Sequence, residues 1–270
     1  AASDVYKRQG VDDRDAEVDV TDIVVSGLSV DLGRGPVLRG IDLTIAAGEL
    51  TCIVGPNGAG KTTLMRSIAG EIPNHGGSIL VNGRPIDRTS VADRARLRAF
   101  LAQTDRTDIP YTAAVVVAFG THLSALDAED QRAVVEENLA ALEIAGLADQ
   151  VVSTLSGGEQ RRVAIARTWA QDASVILLDE PTDSLDLAHA DLVMRLAVDR
   201  ARAGRTIAVT SHDLNLAARH GDRIVMIDEG SIVADGEASE VLTEPLLSSV
   251  YRCRVQIATH PDDGGPVVFL

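Results

Sequence analysis

The chain has 270 residues, enough for one sizeable domain or two modest ones, and at 45% apolar residues it can bury a core. Aromatic residues make up only 3%, so that core must be built from Ala, Val, Leu and Ile. A net charge of −15 argues against a general nucleic-acid binder and against docking on anionic lipid by charge, and no apolar run approaches the ~20 residues that span a bilayer.

Ala1 to Gln9 resemble the conceptual translation of a sequencing-library adapter and are set aside from the fold. Gly10 to Val20 is acidic and unpatterned, so residues 1–20 read as a leader without fixed structure, and they lack the apolar segment of a secretory signal. From Thr21, β-branched runs begin: Ile23-Val24-Val25, Leu28 to Leu32 and Val37 to Ile45, broken at Gly33-Arg34-Gly35-Pro36. Ala46 to Glu49 is a turn that feeds Leu50-Thr51-Cys52-Ile53-Val54, a short apolar run of strand character.

Next stands Gly55-Pro56-Asn57-Gly58-Ala59-Gly60-Lys61-Thr62-Thr63, which reads G-x-x-x-x-G-K-T. Behind it, Thr63 to Gly70 has helical spacing and closes on a glycine. Strand, glycine-rich turn and helix is the setting in which this loop binds phosphate. Its glycines let successive backbone N–H groups converge on an anion at a helix N-terminus. Lys61 is placed to reach the β- and γ-phosphates and the Thr62 hydroxyl to ligate Mg²⁺. The expected ligand is a nucleotide.

Ile79-Leu80-Val81 followed by Asn82-Gly83 predicts a strand and a hairpin turn, and so an antiparallel β layer beside the P-loop core. Ser90 to Arg98 predicts a helix, and Phe100 to Gln103 a strand ending on a glutamine whose amide can reach Mg²⁺ and an attacking water. Thr112 to Asp149 is mostly helical by period, most clearly from Asp127 to Ala145, and reads as an inserted helical subdomain. Leu155 to Gln160 heads a helix that runs through Arg167. Ser156 is its N-cap, and Gly157 and Gly158 leave backbone donors pointing outward as a second anion site.

Val175 to Leu178 and Thr206 to Val209 have the length and composition of buried parallel strands. Asp179 and Glu180 end the first of them: Asp179 to hold Mg²⁺ through its water shell, Glu180 as general base for the water attacking the γ-phosphate. His212 follows the second, one strand over, within reach of the γ-phosphate or that water. Ile224 to Ile227 with Asp228 to Ser231 predicts a late hairpin. The two cysteines, Cys52 and Cys253, have no metal-binding spacing; Cys52 reads as a small core residue, and no disulfide is needed.

Taken in order, the P-loop, Gln103, Leu155 to Gln160, Val175 to Glu180, Ser184-Leu185-Asp186 and His212 resemble the motifs of the ATP-binding-cassette ATPase family, from Thr21 to about Leu247. The resemblance implies an α/β fold: a P-loop NTPase (RecA-like) core with an antiparallel β subdomain and an inserted α-helical subdomain. It implies a single domain over 21–250, with core at 21–103 and 150–250, helical subdomain at 104–149, and a tail at 251–270. It also implies ATP and Mg²⁺ as cofactors and a head-to-tail homodimer. Each ATP then lies between Gly55 to Thr63, Gln103, Asp179, Glu180 and His212 of one copy and Ser156, Gly157 and Gly158 of the other. Ser184 to Asp186 lies at the seam of that pair.

The partners so implied are transmembrane permease subunits and, indirectly, a substrate-binding protein, with no nucleic acid and no direct lipid insertion. The place implied is peripheral, on the cytoplasmic face of a bacterial membrane. There are two departures from the family. Leu32 stands where an adenine-stacking aromatic is usual, and Asp183 and Ser184 stand where Ser and Ala are more familiar. Domain size resembles importer subunits for iron chelates, haem and cobalamin. Within that group the missing aromatic, Val115 to His122, and the tail with His260-Pro261 and Gly265-Pro266-Val267 lean towards haem. A ferric siderophore or cobalamin importer, or a non-transport member such as an iron–sulfur assembly partner, is the alternative.

Overall fold

In the computed structural model the described residues are 22–33, 35–74, 76–103, 110–261 and 264–269, so the predicted leader at 1–20 lies outside them. The first half runs β1 (Ile23–Asp31), β2 (Pro36–Ile45), β3 (Leu50–Val54), α1 (Lys61–Ile68), β4 (Gly76–Val81), β5 (Arg84–Pro85), α2 (Val91–Leu97) and β6 (Arg98–Leu101). A helical stretch follows, with α3 (Ala113–Ala118), α4 (Ala128–Ala141) and α5 (Gly157–Ala170). The chain then alternates through β7 (Val175–Asp179), α6 (Leu187–Arg202), β8 (Thr206–Ser211), α7 (Leu214–His220), β9 (Arg223–Asp228) and β10 (Ser231–Gly236). Helices α8 (Ala238–Val241) and α9 (Glu244–Tyr251) precede a last pair of strands, β11 (Gln256–Thr259) and β12 (Pro266–Phe269).

Strands β3, β7 and β8 are buried at every position, which is why they read as unbroken apolar runs rather than alternating ones. They sit inside a six-stranded sheet of order β10-β9-β3-β8-β7-β6, parallel throughout except for the antiparallel edge strand β10. Side chains alternate between its two faces. Cys52, Leu178, Val209 and Met226 join a core with residues of α3 to α9. Ile53, Leu177, Ala208 and Val225 join a second core with α1 and with β1, β2 and β4, three strands of the antiparallel sheet β2-β1-β4-β5. The architecture is α/β, a P-loop core with an antiparallel β layer, as the sequence predicts.

Three local differences have physical causes. The predicted runs Ile23–Val25 and Leu28–Leu32 join, short of Leu32, into one strand, β1, because Gly27 takes φ +58° and the pairing with β2 shifts register between Val25 and Leu28. Helix α4 starts where Asp127 caps the N–H groups of Glu129 and Asp130, but it ends at Ala141 instead of Ala145. There Glu143 turns to φ +55°, and the buried Arg162 donates to the carbonyls of Leu142 and Glu143, taking the place of the next helical turn. The stretch set apart as a tail contains the β11–β12 hairpin, and Asn215 of α7 exchanges two hydrogen bonds with the backbone of Val268.

The helical stretch packs tightly. A Cβ on Gly120 would lie 2.2 Å from the Arg167 carbonyl of α5, so a side chain there is excluded. No helix among the described residues is long and apolar enough to cross a membrane.

Cys52 and Cys253 are both free thiols, the first buried and the second exposed. Burial, with a smaller contribution from Asp222, pushes the Cys52 thiol up to about 12, so it carries almost no thiolate at neutral pH. A maleimide is therefore expected to label Cys253 in the native chain and Cys52 only after denaturation, read by mass spectrometry of the digested protein.

Candidate nucleotide site

Parallel α/β sheets bind ligands beyond the carboxyl ends of their strands, and there the predicted residues gather. The Gly55–Thr63 loop leaves β3, Gln103 lies two residues past β6, Asp179 and Glu180 end β7, and His212 follows β8. In the sheet, β8 lies between β3 and β7, which sets the strand end carrying His212 beside the one carrying Glu180. The loop backbone takes positive φ at Gly55, Gly58 and Gly60. At Gly55 the requirement is absolute, since a Cβ would fall 2.0 Å from the Ile227 carbonyl. A cleft of about 420 Å³ opens here, lined by Asn57 to Thr63, Val37, Gln103 and Glu180.

Lys61 is buried at the start of α1, and its Nζ donates to the carbonyls of Gly55 at 2.8 Å and Pro56 at 3.3 Å. The same ammonium stands 3.7 Å from Glu180 Oε1. The other oxygen of Glu180, Oε2, accepts from the His212 backbone N–H at 3.2 Å and meets His212 Nδ1 at 2.8 Å, a contact that places the ring proton on Nδ1. Asp183 Oδ1 faces the same nitrogen at 3.4 Å. Glu180 takes φ +50°, a left-handed conformation that a non-glycine residue adopts only under local constraint.

Two residues that sequence reasoning missed supply that constraint. Thr210, fully buried on β8 and paired in register with Asp179, donates its hydroxyl to Asp179 Oδ1 at 2.6 Å and accepts the Glu180 N–H at 2.8 Å. Arg161, buried on α5, donates to four backbone carbonyls: Asp179 and Glu180 at 2.7 Å each, Ala102 at 2.9 Å and Pro181 at 3.3 Å. One guanidinium thus gathers the end of β7 and the residue before Gln103.

Asp179 is buried, and while Thr210 occupies Oδ1, its Oδ2 has no hydrogen-bond partner. An unpartnered buried carboxylate oxygen beside a phosphate-binding loop is the donor type a hard divalent cation takes. Thr210→Val keeps the shape of the side chain but leaves the Asp179 oxygen and the Glu180 N–H unpaired. It is expected to cost about 1–3 kcal/mol in denaturant unfolding and to lower turnover by about 10²-fold through misplacement of both carboxylates.

The remaining predicted residues lie elsewhere. Ser156 caps α5 in a reciprocal capping box: it accepts from Glu159 N–H at 3.4 Å, while its own N–H and hydroxyl donate to Glu159 Oε2 at 2.8 and 2.7 Å. Those hydrogen bonds from Ser156 hold the Glu159 carboxyl below its usual range. Ser156 and Gly157 are exposed, and with Gly158 they do not line the 420 Å³ cleft of their own chain. A Cβ on Gly158 would lie 3.0 Å from the Ser184 carbonyl, so this helix end abuts the turn after β7. Leu32 is exposed just past β1, while Val37 of β2, which the sequence did not single out, lines the cleft.

Residues 38–183 match the ABC transporter family. The chain is 45% identical over 244 residues to the hemin import ATP-binding protein HmuV of Streptomyces coelicolor, covering 90% of this chain and 87% of that one. It is 44% identical over 243 residues to the protein of the same name from Nocardia farcinica, covering 87% and 84%. Among solved structures it is similar to cbiO1 of Clostridium perfringens, part of the ABC transporter complex cbiONQ, with a TM-score of 0.73, 29% identity, and coverage of 84% and 92%.

Proposed function

The chain belongs to the ABC transporter family of ATPases, and from that premise we propose that it is the ATP-hydrolysing subunit of a bacterial haem importer. The observation that carries the chemistry is the convergence of Lys61, Gln103 and Glu180 on one cleft, with Asp179 and His212 at the adjoining strand ends. The cargo rests on the hemin import proteins at 45% and 44% identity.

ATP enters with its phosphates against the N–H groups of Gly58 to Thr63 at the start of α1. Lys61 exchanges the Gly55 and Pro56 carbonyls and Glu180 for the β- and γ-phosphates. Thr62, Gln103 and the free Oδ2 of Asp179, directly or through water, are the groups that hold Mg²⁺, which when bound neutralises charge on those phosphates. Glu180, released from Lys61, accepts a proton from a water in line with the γ-phosphate. The new oxygen–phosphorus bond forms as the bond to ADP breaks, and ADP leaves with the electron pair. His212 hydrogen-bonds the γ-phosphate and keeps that water in place. Val37 and Leu32, both aliphatic, stand in the region where the family usually offers an aromatic to the base.

A second copy completes the site. The first turn of α5, with Ser156 to Gly158, does not line its own cleft, and its backbone donors suit the γ-phosphate held by the opposite chain. Closure around ATP and opening after hydrolysis drive a transmembrane permease at the cytoplasmic face of the membrane, and the substrate-binding protein acts through that permease.

The test is co-purification with the permease encoded beside this chain, followed by ATPase assays with cargo-loaded binding proteins. Stimulation by the haem-loaded protein alone is the expected result. Stimulation by a ferric siderophore or cobalamin overturns the cargo and keeps the mechanism, and failure to form a complex with a permease overturns the importer reading.

A further inference from the structure

We propose that Glu180, Asp183 and His212 form a cation site for a zinc-class ion, whose occupation arrests the nucleotide-free subunit. The three residues come from two neighbouring strand ends: Glu180 closes β7, Asp183 lies in the turn three residues on, and His212 follows β8. One ligand atom of each lies within 4.8 Å of the other two. Glu180 Oε2 and Asp183 Oδ1 both face His212 Nδ1, at 2.8 and 3.4 Å. Two carboxylates therefore face one ring nitrogen, of which only Glu180 takes its proton in a hydrogen bond, and a divalent cation in place of that proton satisfies both.

The donor set, one imidazole nitrogen and two carboxylate oxygens, selects the ion. Mg²⁺ takes oxygen ligands in a strict octahedron and is better served by Asp179, Thr62 and phosphate. Zn²⁺ accepts nitrogen and oxygen together and binds tetrahedrally at bond lengths that set neighbouring ligands about 3.3 Å apart. The Glu180–His212 and His212–Asp183 separations fall on either side of that spacing, and the partly exposed Asp183 side chain has room to close the third edge. His212 is 60% exposed, which gives the ion a way in and leaves a fourth position for water. On binding, the ring changes tautomer: the Nδ1 proton is lost to solvent and Nε2 takes one up, so that a neutral imidazole ligates the ion through Nδ1.

Asp183 is the residue that separates this site from hydrolysis, because it takes no part in the steps above. The arrest rests on the catalytic reading of Glu180 and His212; the binding of the ion does not. Both residues are engaged by the ion, so neither reaches water or γ-phosphate until it leaves.

The probe is Co²⁺, followed by its visible absorption and by its displacement with Zn²⁺, using full-length chain carrying Cys253→Ser to remove the exposed thiol. The expected result is a low-coordinate Co²⁺ spectrum in the parent, lost in His212→Ala and shifted to at least about tenfold higher concentration in Asp183→Ser. Zn²⁺ added to MgATP assays is expected to stop turnover in the parent and to need about tenfold more in Asp183→Ser, whose zinc-free rate stays within about twofold. A parent without the spectrum, or an Asp183→Ser variant as sensitive to Zn²⁺ as the parent, overturns the proposal. A chain that shows the Co²⁺ spectrum yet hydrolyses no ATP without zinc overturns the catalytic reading and leaves the cation site standing.

Discussion

Replacing Glu180 with glutamine is expected to lower ATP turnover by about 10²- to 10⁴-fold, the usual contribution of a general base. The amide keeps the volume of the side chain and its hydrogen bond to the His212 backbone N–H, so the fold has no reason to change. What disappears is the acceptor for the proton of the attacking water. The substitution also removes the charge 3.7 Å from the Lys61 ammonium. Lys61 then has less to give up when phosphate arrives, so ATP affinity is expected to hold or to rise slightly. Turnover and nucleotide Kd, measured on the same preparation, separate these effects. A variant that hydrolyses ATP at the parent rate removes Glu180 from the role of base.

Arg161→Met is expected to be the most disruptive single change on α5. It leaves carbonyls of Ala102, Asp179, Glu180 and Pro181 without their shared donor. Buried unpaired acceptors cost about 1–3 kcal/mol each, so a loss of about 3 kcal/mol or more in denaturant unfolding is expected, a large share of a typical domain's stability. In whatever folds, kcat is expected to fall by about 10²-fold. Nucleotide Kd should move little, because the loop from Gly55 to Thr63 makes none of the Arg161 contacts. Arg161→Lys offers a point charge instead of a planar fork and is expected to restore part of the stability and less of kcat. If Arg161→Met changes Kd and kcat together, Arg161 supports the fold as a whole and not the placement of Asp179 and Glu180.

Much of the fold was legible because the relevant signals are local. The glycine-rich loop between a strand and a helix, the unbroken apolar runs at Val175 and Thr206, and the Asn82-Gly83 and Asp228 to Ser231 turns each carry their meaning within about ten residues. The serine–glutamate spacing at Ser156 and Glu159 announces a helix start in the same way. Thr210 and Arg161 carry no such mark. Thr210 matters because β8 lies beside β7 in the register that sets it against Asp179, a pairing between residues 31 apart. Arg161 matters because its helix passes under two strand ends at once, one of them 59 residues earlier. The early end of α4 follows from Arg162, about twenty residues downstream, where periodicity along α4 has nothing to say. The β11–β12 hairpin escaped because two four-residue strands give too short a pattern, and their anchor, Asn215, comes from α7.

Helix α5 carries Ser156 at its first turn and Arg161 five residues later, about 7.5 Å along the axis of a straight helix. A helix of that length does not compress, so it behaves as a strut with a handle at each end. In the head-to-tail pair proposed above, one handle would lie against the neighbour's γ-phosphate, while the other grips the strand ends that carry this chain's Asp179 and Glu180. A push on the first turn from across the seam must therefore reach the local carboxylates, and the arrival or departure of a phosphate in one compartment is felt mechanically in the other. In the proposed pair each copy of this helix joins one centre to the other, and a substitution in it is expected to disturb both.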